Sequence, residues 1–352
     1  MNRSTNVRRM NAASCSLLAS GLFGALASPA AAQSSGLLVP DWSNDRIMLF
    51  DKTTGDLINA DFITEAATGT TMSSPKEALQ VGDEIWVSDQ TEDRIIRFSL
   101  DGTRFLGDAL NRTVHLIDNV RGFEVFGGRI YVACDTGAFA NSVAVFTLAG
   151  DLVTSVSAGT SPFDIVAFGG ELLVSDGDTD DITRHDANMA NLGFFVQSPE
   201  SSAIAWPQQM TVASDNQIVV ANFSIPDGVY VYSSTGSQLE FYDTGAQGGL
   251  RGAYRLPDGR YLFTNGAGVF RLDPAAGSIV NIIPNVNSQY INELNATGCD
   301  ADFNNDGQVD FFDFLDFAAA FGAEDPSADW NSDGQVDFFD YLDFAADFGA
   351  CE

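Results

Sequence analysis

Ile85-Trp-Val-Ser-Asp89 is an apolar run closed by an acid, and its pattern returns along the chain as Leu37-Leu-Val-Pro-Asp41, Ile130-Tyr-Val-Ala-Cys134, Leu172-Leu-Val-Ser-Asp176, Ile218-Val-Val-Ala-Asn222 and Tyr261-Leu-Phe-Thr-Asn265. The last residues of these runs stand 42 to 48 positions apart. A second β-rich run follows each, as in Arg94-Ile-Ile-Arg-Phe98, Ser142-Val-Ala-Val-Phe146 and Val229-Tyr-Val-Tyr232. Turn signals come next (Asp101-Gly102, Ala149-Gly150, Thr235-Gly236), and then a third short strand. β-branched and aromatic runs punctuated by Gly, Asp and Asn are strand and hairpin signals. A further strand precedes each run, for example Phe163-Asp-Ile-Val-Ala-Phe168 and Gln209-Met-Thr-Val212. Four strands per unit at this period, six times over, predict an all-β six-bladed propeller over residues 33–294. The first unit has no upstream strand, and Gln289-Tyr-Ile-Asn-Glu-Leu294 is left to supply it from the far end. Ring closure of that kind removes exposed sheet edges.

The repeat pattern resembles that of six-bladed NHL-type and gluconolactonase-like propellers. The first 32 residues read as a secretory signal peptide: Arg3, Arg8 and Arg9, an apolar run from Leu17 to Leu26, and small residues up to Ala32. That run is too short to span a bilayer. The expected product is secreted or associated with the cell surface after cleavage near Ala32. A net charge of −31 argues against nucleic acid as a partner.

The C-terminus carries a duplication. Asp302-Phe-Asn-Asn-Asp-Gly-Gln-Val-Asp-Phe-Phe-Asp313 and Asp329-Trp-Asn-Ser-Asp-Gly-Gln-Val-Asp-Phe-Phe-Asp340 place oxygens at positions 1, 3, 5, 9 and 12 and Gly at position 6. A hard cation such as Ca2+ needs six to eight oxygens, with position 7 giving a backbone carbonyl. Two Ca2+ ions are therefore expected, held by Asp302, Asn304, Asp306, Gln308, Asp310 and Asp313, and by Asp329, Asn331, Asp333, Gln335, Asp337 and Asp340. Helical patterns follow from Phe311 to Phe321 and from Phe338 to Phe348, with Gly322 and Gly349 as C-caps. Cys299 and Cys351 bracket the pair, which in an exported chain reads as a disulfide, while Cys134 reads as a buried, inert thiol. Residues 299–352 contain 15 acids and no Lys or Arg. They resemble a dockerin, in particular the cysteine-flanked type of planctomycete-like bacteria: a small all-α module of two EF-hand-like loop–helix units. The resemblance implies a cohesin-type protein or cell-surface scaffold as partner. Aspartate at position 12 matches dockerins rather than calcium sensors. A structural calcium pair without a partner is the alternative.

Dockerins contact cohesins through loop positions 10 and 11, here Phe311, Phe312, Phe338 and Phe339. Helical spacing assigns Phe311 to a core stripe with Phe314, Leu315, Ala318 and Phe321, leaving Phe312 and Phe339 as the partner-facing pair. Residues 295–298 are a short linker.

Signals inside the propeller are sparser. Asp41, Asp89, Asp176, Asn222 and Asn265 form an equivalent column that reads as holding turns. Asp176-Gly-Asp-Thr-Asp-Asp181 reads as a cation loop or a solvated acidic loop. His115 and His185, the only histidines, lie in unrelated units and make no triad. Glu77 is the one residue assignable to the central metal site of a gluconolactonase-like enzyme. Lys76, Arg121 and Arg251 start inner strands and so should gather at one mouth of the channel, as a site for an anionic or carbohydrate ligand or as simple partners of Glu77, Asp164 and Glu124. The sequence favours a non-enzymatic exported propeller tethered through a calcium-dependent dockerin. The alternative is a dockerin-borne enzyme of polysaccharide degradation, or a metal-dependent lactonase or lyase working in the channel.

Overall fold

In the computed structural model, which describes residues 35–197, 204–295, 301, 303–304, 311–323, 325–330 and 335–350, six four-stranded antiparallel sheets form six blades. Each recurring apolar run is the second strand of its blade: Gly36–Asp41, Glu84–Asp89, Arg129–Cys134, Glu171–Asp176, Ile218–Asn222 and Tyr261–Asn265. Innermost in blades 2 to 6 are Pro75–Val81, Val120–Phe126, Pro162–Phe168, Pro207–Val212 and Gly252–Arg255. Blade 1 takes its inner strand from the far end of the repeats, Asn292–Leu294, in antiparallel register with Gly36–Leu38. The closing strand is shorter than the expected run from Gln289: Gln289 and Tyr290 lie against Lys76 at the axis, and Ile291 packs in the cluster between blades 6 and 1.

The second strands read as unbroken apolar runs because both of their faces are buried. Successive side chains point to opposite faces of a sheet, so Ile85 and Val87 pack against blade 1 while Trp86 packs against blade 3. In blade 5, Ile218 and Val220 face blade 4, and Val219 and Ala221 face blade 6. The propeller core is thus six apolar clusters, one between each pair of neighbouring blades, with the last joining blades 6 and 1. Each fully buried Val, Leu, Ile or Phe contributes roughly 1.5–3 kcal/mol to holding adjacent blades together.

Two helices, Phe311–Gly322 and Phe338–Ala350, lie near the C-terminus. Both run through the glycines expected to cap them. Beyond Gly322 the turn closes where the Ala323 N–H donates to the carbonyls of Ala319 and Ala320. Phe317 and Phe344, 27 residues apart in the duplication, stack at 3.8 Å between centroids with 7° between planes. Phe303 and Trp330, also equivalent, pack edge-on against Phe344. None of the described helices is long and apolar enough to cross a membrane.

Candidate functional site

The column of acids and amides at the ends of the second strands is consumed in holding loops. Asp89 accepts backbone N–H groups from Ser73, Ser74, Thr91 and Glu92 at 2.8–3.2 Å, and Asp176 those of Thr160, Ser161, Asp178 and Thr179 at 2.7–3.0 Å. Each carboxylate pins the loop entering its blade to the turn after the strand, satisfying donors that would otherwise be orphaned. Asn222 and Asn265 do the same with both ends of their amides. Asp176 therefore acts as a loop clasp at the head of the 176–181 run. Blade 3 has Cys134 in this position, buried, with its thiol pushed up to about 12 by burial. His185 is buried against Thr183 and Met189, and His115 accepts the Asn111 N–H, so both histidines serve local packing.

The starts of the inner strands converge on the axis. Lys76 Nζ donates to Gln208 Oε1 (3.1 Å) and Gln289 Oε1 (3.0 Å) and lies over the rings of Tyr290 (4.5 Å) and Phe163 (5.8 Å). Arg121 stacks on the other side of this group, 3.9 Å from the Phe163 centroid, bonded to Ser161 and the Pro162 carbonyl and paired with Asp135 at 2.8 Å. Arg251 donates to Asn287 Oδ1, which also accepts from Gln289 Nε2. A connected polar chain thus runs from Gln208 through Lys76, Gln289 and Asn287 to Arg251. The three bases do not pair with Glu77, Asp164 or Glu124. Arg121 takes Asp135, and among the described residues neither Lys76 nor Arg251 has a carboxylate within 4 Å. Burial, with Arg251 and Arg121 adding to it, holds the Lys76 amine well below the usual lysine range.

One layer deeper, Glu77 and Asp164 bind backbone instead of bases. The inner strands of blades 3 and 5 are bulged between Val120 and Phe123 and between Pro207 and Met210. Glu77 Oε2 accepts the Phe123 N–H and Asp164 Oδ2 accepts the Met210 N–H, both at 2.7 Å and both from the next blade. Serine relays run in parallel: the Glu77 N–H donates to Ser88 Oγ, which donates to the Arg121 carbonyl, and Asp164, Ser175 and Gln208 repeat the arrangement. Gln209 of blade 5 reaches past blade 6, donating to the carbonyl of Ile291 and accepting its N–H just ahead of the blade 1 inner strand. A Cβ at Gly122 would stand 2.6 Å from Asp164 Oδ1, so only glycine lets that carboxyl lie along the neighbouring strand. Burial raises Asp164 to about 8, and burial together with Asp164 raises Glu77 well above the carboxylate range. These acids are blade-to-blade staples, a role the sequence did not disclose because it depends on which N–H groups the bulges leave open.

In the C-terminal pair, Asp313 and Asp340 are fully buried at the heads of their helices. Asp313 accepts the Asn304 N–H (3.0 Å) and Asp340 the Asp337 N–H (2.7 Å), so each position-12 carboxylate folds back onto its own loop. Asp302, Asp306, Gln308, Asp310, Asn331 and Asp333 lie outside the described residues, as do Cys299, Cys351, residues 296–298 and the expected signal peptide. No metal-binding cluster of three His, Cys, Asp or Glu occurs among the described residues. By residue type the duplicated positions carry the hard oxygens that Ca2+ takes. Phe312 and Phe339 are 64% and 63% exposed. Phe311 departs from its expected place in the core: it is 65% exposed, and Phe338 and Leu315 are exposed with it. The core-facing stripe is Phe317, buried, with Phe314 and Phe321 half-buried beside it, and their rings meet those of the second helix, whereas Phe311 in the first turn stacks on Phe314.

Neither a protein-family model nor a curated protein matches the sequence. Among solved structures, the nidogen/laminin complex matches with a TM-score of 0.59 at 14% identity, covering 75% of this chain and 99% of that one. A Bacteroides caccae protein of unknown function matches at 0.52 and 12% identity, covering 74% and 98%. A streptogramin B lyase gives 0.48 at 15% identity over 72% and 84%. At these identities the likeness concerns the propeller fold alone.

Proposed function

We propose that this chain is an exported, non-enzymatic propeller that binds a ligand at its channel mouth and is held to a cohesin-type protein, on a scaffold or the cell surface, by a calcium-loaded dockerin-like module. The observation that carries the tether is the twofold repetition of one device. Asp313 and Asp340 hold the same place in the repeat, both are buried, and each accepts an N–H from its own loop, at position 3 in the first and position 9 in the second, while each helix carries an exposed Phe-Phe pair. Bound Ca2+ would supply the charge that lets 15 acids share a module without a single base. The propeller's part is an anion site, because Arg251 is only part-buried where the inner strands start and its guanidinium is bonded to a neutral amide, with no carboxylate within 4 Å among the described residues. Commitment of Glu77 and Asp164 to backbone donors weighs against the enzymatic alternative, which needs an acid and a base at liberty in the channel.

The test is capture of the full chain on immobilised cohesin modules with calcium and with EGTA. Retention in calcium, release in EGTA and a loss of at least about tenfold in affinity for a Phe312→Ala/Phe339→Ala double variant are expected. Retention in EGTA, or an unaffected double variant, would overturn the tether.

A further inference from the structure

An aromatic row leads outward from the cationic mouth. Phe163 carries Arg121 and Lys76 near its ring, meets the Trp206 indole edge-on at 6.0 Å, and Trp206 in turn meets Phe223 at 6.5 Å. Trp206 and Phe223 are each over a third exposed. Beyond Phe223 lies a shallow, open surface hollow lined by Ser224, Ile225, Asp227 and Gly245 among others.

The row is a built feature. Trp206 has a left-handed backbone (φ 60°), which is strained for a bulky residue. It is held there by its N–H on Asp180 (2.7 Å) and its carbonyl on the Phe223 N–H (3.1 Å). Room for the indole exists only because residue 177 is glycine: a Cβ there would fall 2.7 Å from both Trp206 Nε1 and Phe163 Cε2. At the outer end, Asp227 Oδ2 is buried and accepts no hydrogen bond from the described residues. Such an acceptor costs free energy until a donor reaches it.

We propose that this track binds an acidic oligosaccharide: its carboxylate at Arg251, its sugar rings on Trp206 and Phe223, and a hydroxyl on Asp227 Oδ2. Arginine suits a planar carboxylate, and flat aromatic faces suit the apolar faces of sugar rings. A polyol brings the donor that Asp227 lacks. An extended peptide is less suited, because this surface is made of loops and presents no strand edge for the peptide to join. The inference rests on the anion site proposed above.

Calorimetry on the full chain in calcium tests both together, using galacturonate, tetragalacturonate, cellotetraose and tetraglutamate. The expected pattern is weak binding of galacturonate, tetragalacturonate tighter by at least about tenfold, and little binding of the other two. Arg251→Ala should weaken both uronates, while Trp206→Ala and Phe223→Ala should remove only the gain from chain length. Unchanged melting temperatures would confirm that the variants are folded. Galacturonate binding that depends on Arg251 but gains nothing from chain length would overturn the track and leave the anion site standing. Absence of any uronate binding would overturn both. Equal binding of cellotetraose or tetraglutamate would contradict the acidic saccharide.

Discussion

Asp164 shows how a single carboxyl comes to be spent on architecture. It is buried, one oxygen holds the Met210 N–H of the next blade, and the other lies against Gly122. Burial lifts it to about 8 from an unfolded value near 3.8. With the folded value the higher, the native state binds the extra proton, so stability is fully present below the unfolded value and is lost as pH rises through about 8. Glu77, raised in the same direction, adds to the trend. Propeller stability should therefore fall from pH 5 to pH 8, by up to about 1.4 kcal/mol per pH unit for each such group. Asp164→Asn keeps an acceptor for Met210 and removes the titration, so its melting temperature should vary less with pH. An identical slope in both proteins would refute this. The sequence shows that Asp164 and Glu77 stand at equivalent places near the start of their inner strands, one residue after Phe163 and Lys76. Their role as staples follows from bulges on neighbouring strands, which no local pattern reveals.

At the scale of elements, the strands were legible and their closure nearly so. Burial on both faces forces apolar residues at every position of the second strands, and this made Ile85-Trp-Val-Ser-Asp89 and its counterparts recognisable. The closing strand was legible only from the missing partner of Gly36–Asp41. It anchors through Tyr290, Ile291 and Leu294, all essentially buried, and Asn295 beyond it still bonds Gln80 and Lys52. A chain ending at Asn295 should fold as a cooperative propeller. One ending at Ser288 should lose on the order of 5 kcal/mol, from three buried side chains at about 1.5–3 kcal/mol each, or fail to fold cooperatively. Equal denaturation midpoints for the two truncations would refute closure as a source of stability. Helical periodicity was a weaker guide than strand periodicity. It aligned Phe311 with the core stripe, yet the first turn reaches past the partner helix, and the ring is exposed.

For the whole molecule, the propeller and the C-terminal pair rest on different physics. The propeller is held by six apolar clusters between blades and by a polar axis whose acids are staples. The C-terminal pair has a small aromatic core around Phe317 and Phe344 and a dense negative charge, so its stability is expected to come largely from bound metal. Fold class could be read from the repeat. The ligand track could not, because Trp206 and Phe223 stand in different loops and only the ring brings them into line with Phe163. The central claim, a metal-independent propeller carried on a calcium-built tether, is tested most directly by calorimetric melting of the full chain with calcium and with EDTA, alongside a count of bound calcium. The account predicts two calcium ions per chain and two transitions, of which EDTA abolishes the one belonging to residues 299–352 and leaves the propeller's unchanged. Identical melting profiles with and without EDTA, or fewer than two bound ions, would contradict it.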